Sequence, residues 1–177
     1  MKTERQDSDR REQSGGFHIR TAELKDIGAI NGIDAACFDA LAASDDALVR
    51  GRISCYADHF WVLCDGERVV GYLDGFSTGR ADLEDEMLTH PEQHEEDGAW
   101  QMLFGLAVDP AYQGRGCASM LLRHAESEAR RQGRSGLVLT CRERLVPFYR
   151  KLGFRDEGIS AHALADGPWH QMRLLLK

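Results

Sequence analysis

The stretch Phe104–Ala118 reads as a strand, a turn and a helix start within fifteen residues, and the rest of the chain has to be built around it. Leu106, Ala107 and Val108 form the end of a buried strand, and Asp109-Pro110 stops it. Gln113-Gly114-Arg115-Gly116 then turns the chain into a long amphipathic segment beginning at Cys117 and Ala118. Glycines bend the backbone and let a ligand approach where a Cβ would stand. The first turn of a helix presents unpaired N–H groups at the positive end of its dipole. The stretch is therefore an anion cradle suited to a phosphate or pyrophosphate.

Spacing separates the kinds of phosphate loop. A P-loop needs a lysine after its glycines, and none follows here; a dinucleotide fingerprint is matched only in part, by Gly114-x-Gly116-x-x-Ser119. The pattern that remains is Gln-x-x-Gly-x-Ala on Gln113, Gly116 and Ala118, after a strand ending in Leu-Ala-Val. About thirty residues later, Leu137–Cys141 reads as a second buried strand, followed by Phe148-Tyr149-Arg150-Lys151-Leu152-Gly153-Phe154. Together these motifs resemble the acetyl-coenzyme A binding and Phe-Tyr-x-x-x-Gly-Phe signatures of the Gcn5-related N-acetyltransferase (GNAT) superfamily. The wording Cys141 and Leu145-Val146-Pro147-Phe148-Tyr149 further resembles its arylalkylamine N-acetyltransferase branch.

The resemblance implies an α/β (α+β) fold with a mixed central sheet of about six to seven strands flanked by about four helices. It implies acetyl-CoA as cosubstrate, and transfer of its acetyl group directly to a primary amine, of a small cationic or arylalkyl type. The backbone of Leu106, Ala107 and Val108 would pair with the pantetheine arm. Around the glycine turn, Gln113, Gly114, Arg115, Gly116, Cys117 and Ala118 would form the pyrophosphate site. A backbone N–H near Leu106 would polarise the acetyl carbonyl, and Tyr149 would act as general acid toward the departing thiolate.

A chain of 177 residues is long enough for one well-buried core, and 42% hydrophobic with 29% charged residues is ordinary for a globular domain. The net charge of −7, with no coherent basic face, argues against a nucleic-acid partner. No apolar run approaches the roughly 18 residues of a membrane span. The five cysteines are odd in number and lack C-x-x-C spacing, which fits reduced thiols in the cytoplasm. A homodimer is compatible with the sequence.

Residues 1–16 read as a disordered tail, and residues 17–177 as one acetyltransferase domain. Phe17–Arg20 alternates like a strand, and Asp26 can cap a helix carrying Ile27, Ile30, Ile33 and Cys37. Ala40, Leu41, Leu48, Val49 and Ile53 suggest a second helix, capped at Ser44 or Asp45. Asp65-Gly66 between two β-rich runs predicts a hairpin of 60–64 with 69–73. Residues 80–97 are acidic almost throughout. They read either as a lid drawing a cationic amine or as a solvated segment anchored by Met87 and Leu88. His90, His94 and the carboxylates there could hold a metal, but no catalytic step implied by the resemblance needs one, so none is expected.

Two departures stand out. Arylalkylamine enzymes carry histidines on the strand before Leu-Ala-Val, where this chain has Met102 and Phe104, so their proton path is absent. Water relayed to Glu86, His90, His94 or His162 would have to replace it. Arg142 stands where many superfamily members have an asparagine that contacts the coenzyme. The missing histidines keep two other readings open: a protein N-terminal or lysine acetyltransferase, and an acyl-CoA binding module without transfer activity.

Overall fold

The computed structural model describes residues 16–38, 44–161 and 167–177. The expected tail up to residue 15, the helix start at Ala40 and Leu41, and His162 lie outside the described residues.

Strand β1 (Phe17–Thr21) leads through a short turn into α1 (Ile27–Cys37), which buries Ile27, Ile30 and Ile33. Asp26 does not cap α1 with its side chain. Its carboxylate instead accepts Glu23 N–H and pairs with Arg20 at 2.7 Å, tying the turn to β1. Helix α2 (Asp46–Tyr56) is capped by Asp45, which accepts Leu48 N–H at 2.8 Å. The expected hairpin joins β2 (Phe60–Asp65) to β3 (Arg68–Asp74), with Gly66 at φ 58° where a side chain would be strained. Both faces of β2 are covered, which explains its unbroken apolar run: Trp61 and Leu63 join one core cluster, and Phe60, Val62 and Cys64 the other.

The remaining elements in chain order are β4 (Ser77–Thr78), β5 (Trp100–Met102), β6 (Gly105–Val108), α3 (Cys117–Arg131), β7 (Gly136–Arg142), α4 (Val146–Lys151), β8 (Arg155–Ile159) and β9 (Trp169–Leu175). They form two hydrogen-bonded sheets, in the orders β1-β2-β3-β6 and β4-β5-β7-β9-β8, with β5 and β7 the one parallel pair among the described strands. Helix α3 covers one face through Leu121, Leu122, Ala125 and Ala129, while α1 and α2 cover the other. The class is the mixed α+β fold expected, with four α-helices among the described residues. The nine described strands exceed the six to seven expected because the run 100–108, read as one central strand, divides in two and the short β4 adds another.

That division shapes the molecule. Leu103 N–H donates to Val138 O at 2.9 Å, continuing the β5–β7 ladder, whereas Phe104 N–H donates to Asp74 O at 2.8 Å, starting the β3–β6 ladder. From this residue pair onward the chain leaves β7, and the two sheets part.

Candidate active site

A cleft of about 680 Å³ opens where β6 and β7 separate. Leu103, Phe104, Gly105 and Leu106 line one side and Leu139–Leu145 the other, with Cys37, Phe38, Tyr149, Pro168 and Trp169 completing the wall. A second hollow of about 920 Å³ lies against α1, β1 and the β2–β3 hairpin, with Asp109 and Pro110 beside it; it includes neither the glycine turn nor Tyr149.

The edge of β6 that faces the cleft has unpaired backbone groups. Asp109 N–H donates to Val70 O and Gly105 N–H to the Asp74 carboxylate, both on the β3 side. Strand groups alternate in direction, so the N–H groups of Leu106 and Val108 point the other way. Phe104 and Gly105 both donate toward Asp74, one to its carbonyl and one to its carboxylate, which is the signature of a bulge. Gly105 is required there: a Cβ would stand 2.6 Å from Asp74 Oδ1.

Beyond β6, the glycine turn enters α3 as expected. Gly114 and Gly116 adopt φ of 76° and 79°, a region that favours glycine, and Gly116 occupies the N-cap of α3. Among the described residues no protein acceptor takes the N–H groups of Gly114 through Ala118, so this run of donors is open to an anion. The side chains behave differently from the backbone. Gln113 Nε2 donates to Val108 O at 3.1 Å, closing the end of β6, and the Arg115 guanidinium stacks 5.1 Å from the Tyr112 ring centroid. Cys117 is buried beneath the first turn.

Tyr149 is 7% exposed on α4, packed edge-on against Phe148 and Phe154, and lines the cleft. Its hydroxyl has no hydrogen-bond partner among the described residues. Burial pushes this phenol well above the ordinary tyrosine range, aided by the nearby Cys141. Burial also pushes the Cys141 thiol up to about 11, and raises Cys37 and Cys117. Burial thus holds each of these thiols away from the reactive thiolate. At the far wall the Arg142 guanidinium stacks 4.6 Å from the Trp169 ring centroid.

Behind the bulge lies a buried polar network that sequence reasoning missed. Asp74, fully buried, accepts from Tyr56 Oη at 2.9 Å and pairs with Arg52 at 3.3 Å. Arg52 Nη2 donates to Leu88 O at 2.7 Å, and the guanidinium lies 5.7 Å from the Phe104 ring centroid. Tyr72 Oη donates to Asp34 on α1. Burial pushes the Asp74 carboxyl up, while the Arg52 charge, the Tyr56 hydroxyl and the Gly105 amide pull it back. The signal was present: Arg52 stands among Val49, Ile53 and Tyr56, and Asp34 among Ile27, Ile30 and Cys37, each on the apolar face of its helix.

The acidic segment 80–97 is a strap across the sheet end. It is anchored by the buried Leu83 and Met87, the former in place of the expected Leu88. Several of its carboxylates are engaged: Glu84 and Glu86 with Arg80, Asp82 with Arg173, Glu96 with His94. Glu86, His90 and His94 do not line the cleft. Glu143 is the one carboxylate among its described lining residues, and no histidine is among them.

Against this geometry the comparisons with known proteins agree. The acetyltransferase (GNAT) domain profile matches residues 57–156, more than half of the chain. The chain belongs to this family, and is an acetyltransferase that uses acetyl-CoA as cosubstrate. Among solved structures it is similar to the loading GNATL domain of CurA from Lyngbya majuscula, at 14% identity and TM-score 0.80 over 90% of this chain and 98% of that one. It is also similar to the ribosomal-protein-S18-alanine N-acetyltransferase from Escherichia coli, at 21% identity and TM-score 0.67 over 92% and 95%. A GNAT family acetyltransferase from Brucella melitensis in complex with acetyl-CoA matches at 20% identity and TM-score 0.59 over 92% and 90%. Among the curated proteins none matches in sequence. Among the described residues no helix is long and apolar enough to cross a membrane.

Proposed function

We propose that this acetyltransferase moves the acetyl group directly to a primary amine carried on an apolar, arylalkyl-type body, in one ternary complex. The observation that carries the acceptor class is the lining of the cleft beside the bulge, where Phe38, Phe104 and Trp169 supply aromatic surface.

The cosubstrate supplies an acetyl thioester, and the residues do the rest. The open N–H groups of Gly114 through Ala118 hold the diphosphate at the positive end of α3. The edge of Leu106, Ala107 and Val108 pairs with the pantetheine arm as an added strand, and Leu106 N–H donates to the thioester carbonyl oxygen. Tyr149 Oη donates its proton toward the departing sulfur. Glu143, through water, takes the proton that the amine gives up. The raised cysteine thiols support direct transfer over a covalent enzyme intermediate.

A second reading, acetylation of a protein N-terminus, is favoured by one observation: no carboxylate of the strap lines the cleft, and Asp82, Glu84 and Glu86 are paired with arginines, so the strap exerts little pull on a free cationic amine. Thiol release from acetyl-CoA, measured against phenethylamine and tryptamine, against spermidine and against short peptides, decides between them. Release with the arylalkylamines supports the first reading, and release with the peptides alone supports the second. Binding of acetyl-CoA without amine-dependent release would reduce the chain to a binding module.

The backbone cradle also sets an expectation for Arg115. With its guanidinium on Tyr112 rather than over the open amides, Arg115→Ala is expected to weaken acetyl-CoA binding only about two- to fivefold in calorimetry, the range of one exposed charge. Gly116→Val, which puts a β-branched residue at φ 79°, is expected to weaken it far more.

A further inference from the structure

Away from the cleft, three donor groups converge that the reaction does not use. His59, fully buried in the turn before β2, faces His94 and Glu96 from the strap, and the donor atoms of the three lie within 4.8 Å of one another. The His59 tautomer is fixed by its neighbour. Gln101 Nε2 donates to Met102 O at 3.0 Å, so Gln101 Oε1 is the atom 2.7 Å from His59 Nδ1, and Nδ1 carries the proton. His59 Nε2 is left as a bare lone pair. It is buried, has no hydrogen-bond partner, and lies 3.5 Å from the carboxylate oxygen Glu96 Oε2. A buried, unpartnered lone pair that faces a carboxylate oxygen at the surface is a place for a cation.

We propose that His59 Nε2, His94 Nε2 and Glu96 Oε2 bind one zinc ion, with water as fourth ligand. Tetrahedral zinc with ligands at about 2.0–2.1 Å holds neighbouring donors about 3.3 Å apart. Glu96 Oε2 already stands 2.9 Å from His94 Nε2 and 3.5 Å from His59 Nε2. Gln101 is the outer partner that orients His59. Ser77 N–H donates to His94 Nδ1 at 3.2 Å, so the His94 proton sits on Nε2, 2.9 Å from Glu96 Oε2; for Nε2 to carry the ion that proton moves to Nδ1, which gives up the Ser77 N–H bond and turns to Ser77 Oγ, 3.4 Å away. Arg134, 3.8 Å from Glu96 Oε1, engages the other carboxylate oxygen, and its charge tempers the affinity.

None of the three ligands lines the cleft, so the ion would fasten the strap to the sheet rather than take part in transfer. Its effect would still reach the cleft, because the His94 ring stands 6.3 Å from Phe76, which packs 4.9 Å from Phe104.

The test uses the full chain, stripped with a chelator and titrated with zinc chloride by calorimetry, with cobalt(II) absorption as a report on the ligand set. One equivalent is expected, with a rise in melting temperature of roughly 5–10 °C at about a hundredfold excess over the dissociation constant. Glu96→Gln, at a position 66% exposed, leaves the metal-free melting temperature unchanged and lowers affinity at least about tenfold; His94→Ala lowers it similarly. His90→Ala changes neither. Absence of stoichiometric uptake, uptake unaffected by Glu96→Gln, or uptake lost in His90→Ala would overturn the assignment.

Discussion

Replacing Asp74 by asparagine is expected to cost the fold about 3–5 kcal/mol, because it removes one member of a buried ion pair and leaves the other charged. Arg52 is 6% exposed and among the described residues has no second carboxylate within hydrogen-bond reach, so its charge would be left with only the more distant Asp34. A loss of that size lowers the melting temperature of a chain this long by roughly 6–20 °C. The double variant Arg52→Met/Asp74→Asn should recover most of the loss, since removing both charges removes the desolvation cost along with the attraction. A loss below about 1 kcal/mol in Asp74→Asn, in the range of exposed pairs, would show that no buried ion pair exists there.

The same residue links stability to the cleft. Asp74 takes the N–H groups of Phe104 and Gly105 on its carbonyl and carboxylate, and this double acceptance bends the chain away from β7. Asp74→Asn keeps an amide oxygen able to accept Gly105 N–H, whereas Asp74→Ala removes this anchor of the bulge. Acetyl transfer in Asp74→Ala should therefore fall further than the folded fraction accounts for.

What the sequence disclosed and what it hid follow from the range of the interactions involved. The glycine turn, the hairpin at Gly66 and the α2 cap at Asp45 are local, set by backbone conformations or side chains a few residues apart, and these were legible. The fork at Leu103 and Phe104 was not. It depends on which of two distant strands, around Asp74 or Val138, takes each successive N–H group, and the apolar run through it carries no mark of the change. Asp34 and Arg52 sat at apolar-face positions of their helices. That misfit announced a buried polar role, while their partners Tyr72 and Asp74 come from a different element. Sequence places His94 beside His90, whose ring instead bonds to Glu86 O at 2.8 Å; the spatial neighbour of His94 is His59, thirty-five positions away.

In Tyr149→Phe, turnover is expected to fall about 10²-fold with acetyl-CoA affinity unchanged, a loss of about 2.7 kcal/mol confined to the transition state. The hydroxyl makes no hydrogen bond among the described residues, so its removal orphans no partner, and the melting temperature should stay within about 2 °C of the parent. A core tyrosine and a catalytic one therefore separate: the core role predicts no change in rate, the catalytic role a large change in rate with none in stability. The pH dependence sharpens the distinction. Burial raises the phenol above its ordinary value, so its neutral, proton-bearing form persists through the basic range and its contribution is present across it. The rate deficit of Tyr149→Phe should accordingly be constant between about pH 6 and pH 9, below the ordinary tyrosine value of about 10. A phenol more acidic than cysteine would protonate the leaving sulfur but would itself ionise at high pH. A raised one stays protonated and works by donating into charge as it builds on sulfur. Equal turnover in the two proteins would exclude Tyr149 from the reaction, and a deficit that vanishes above pH 8 would mean that its phenol ionises there and burial does not hold it neutral.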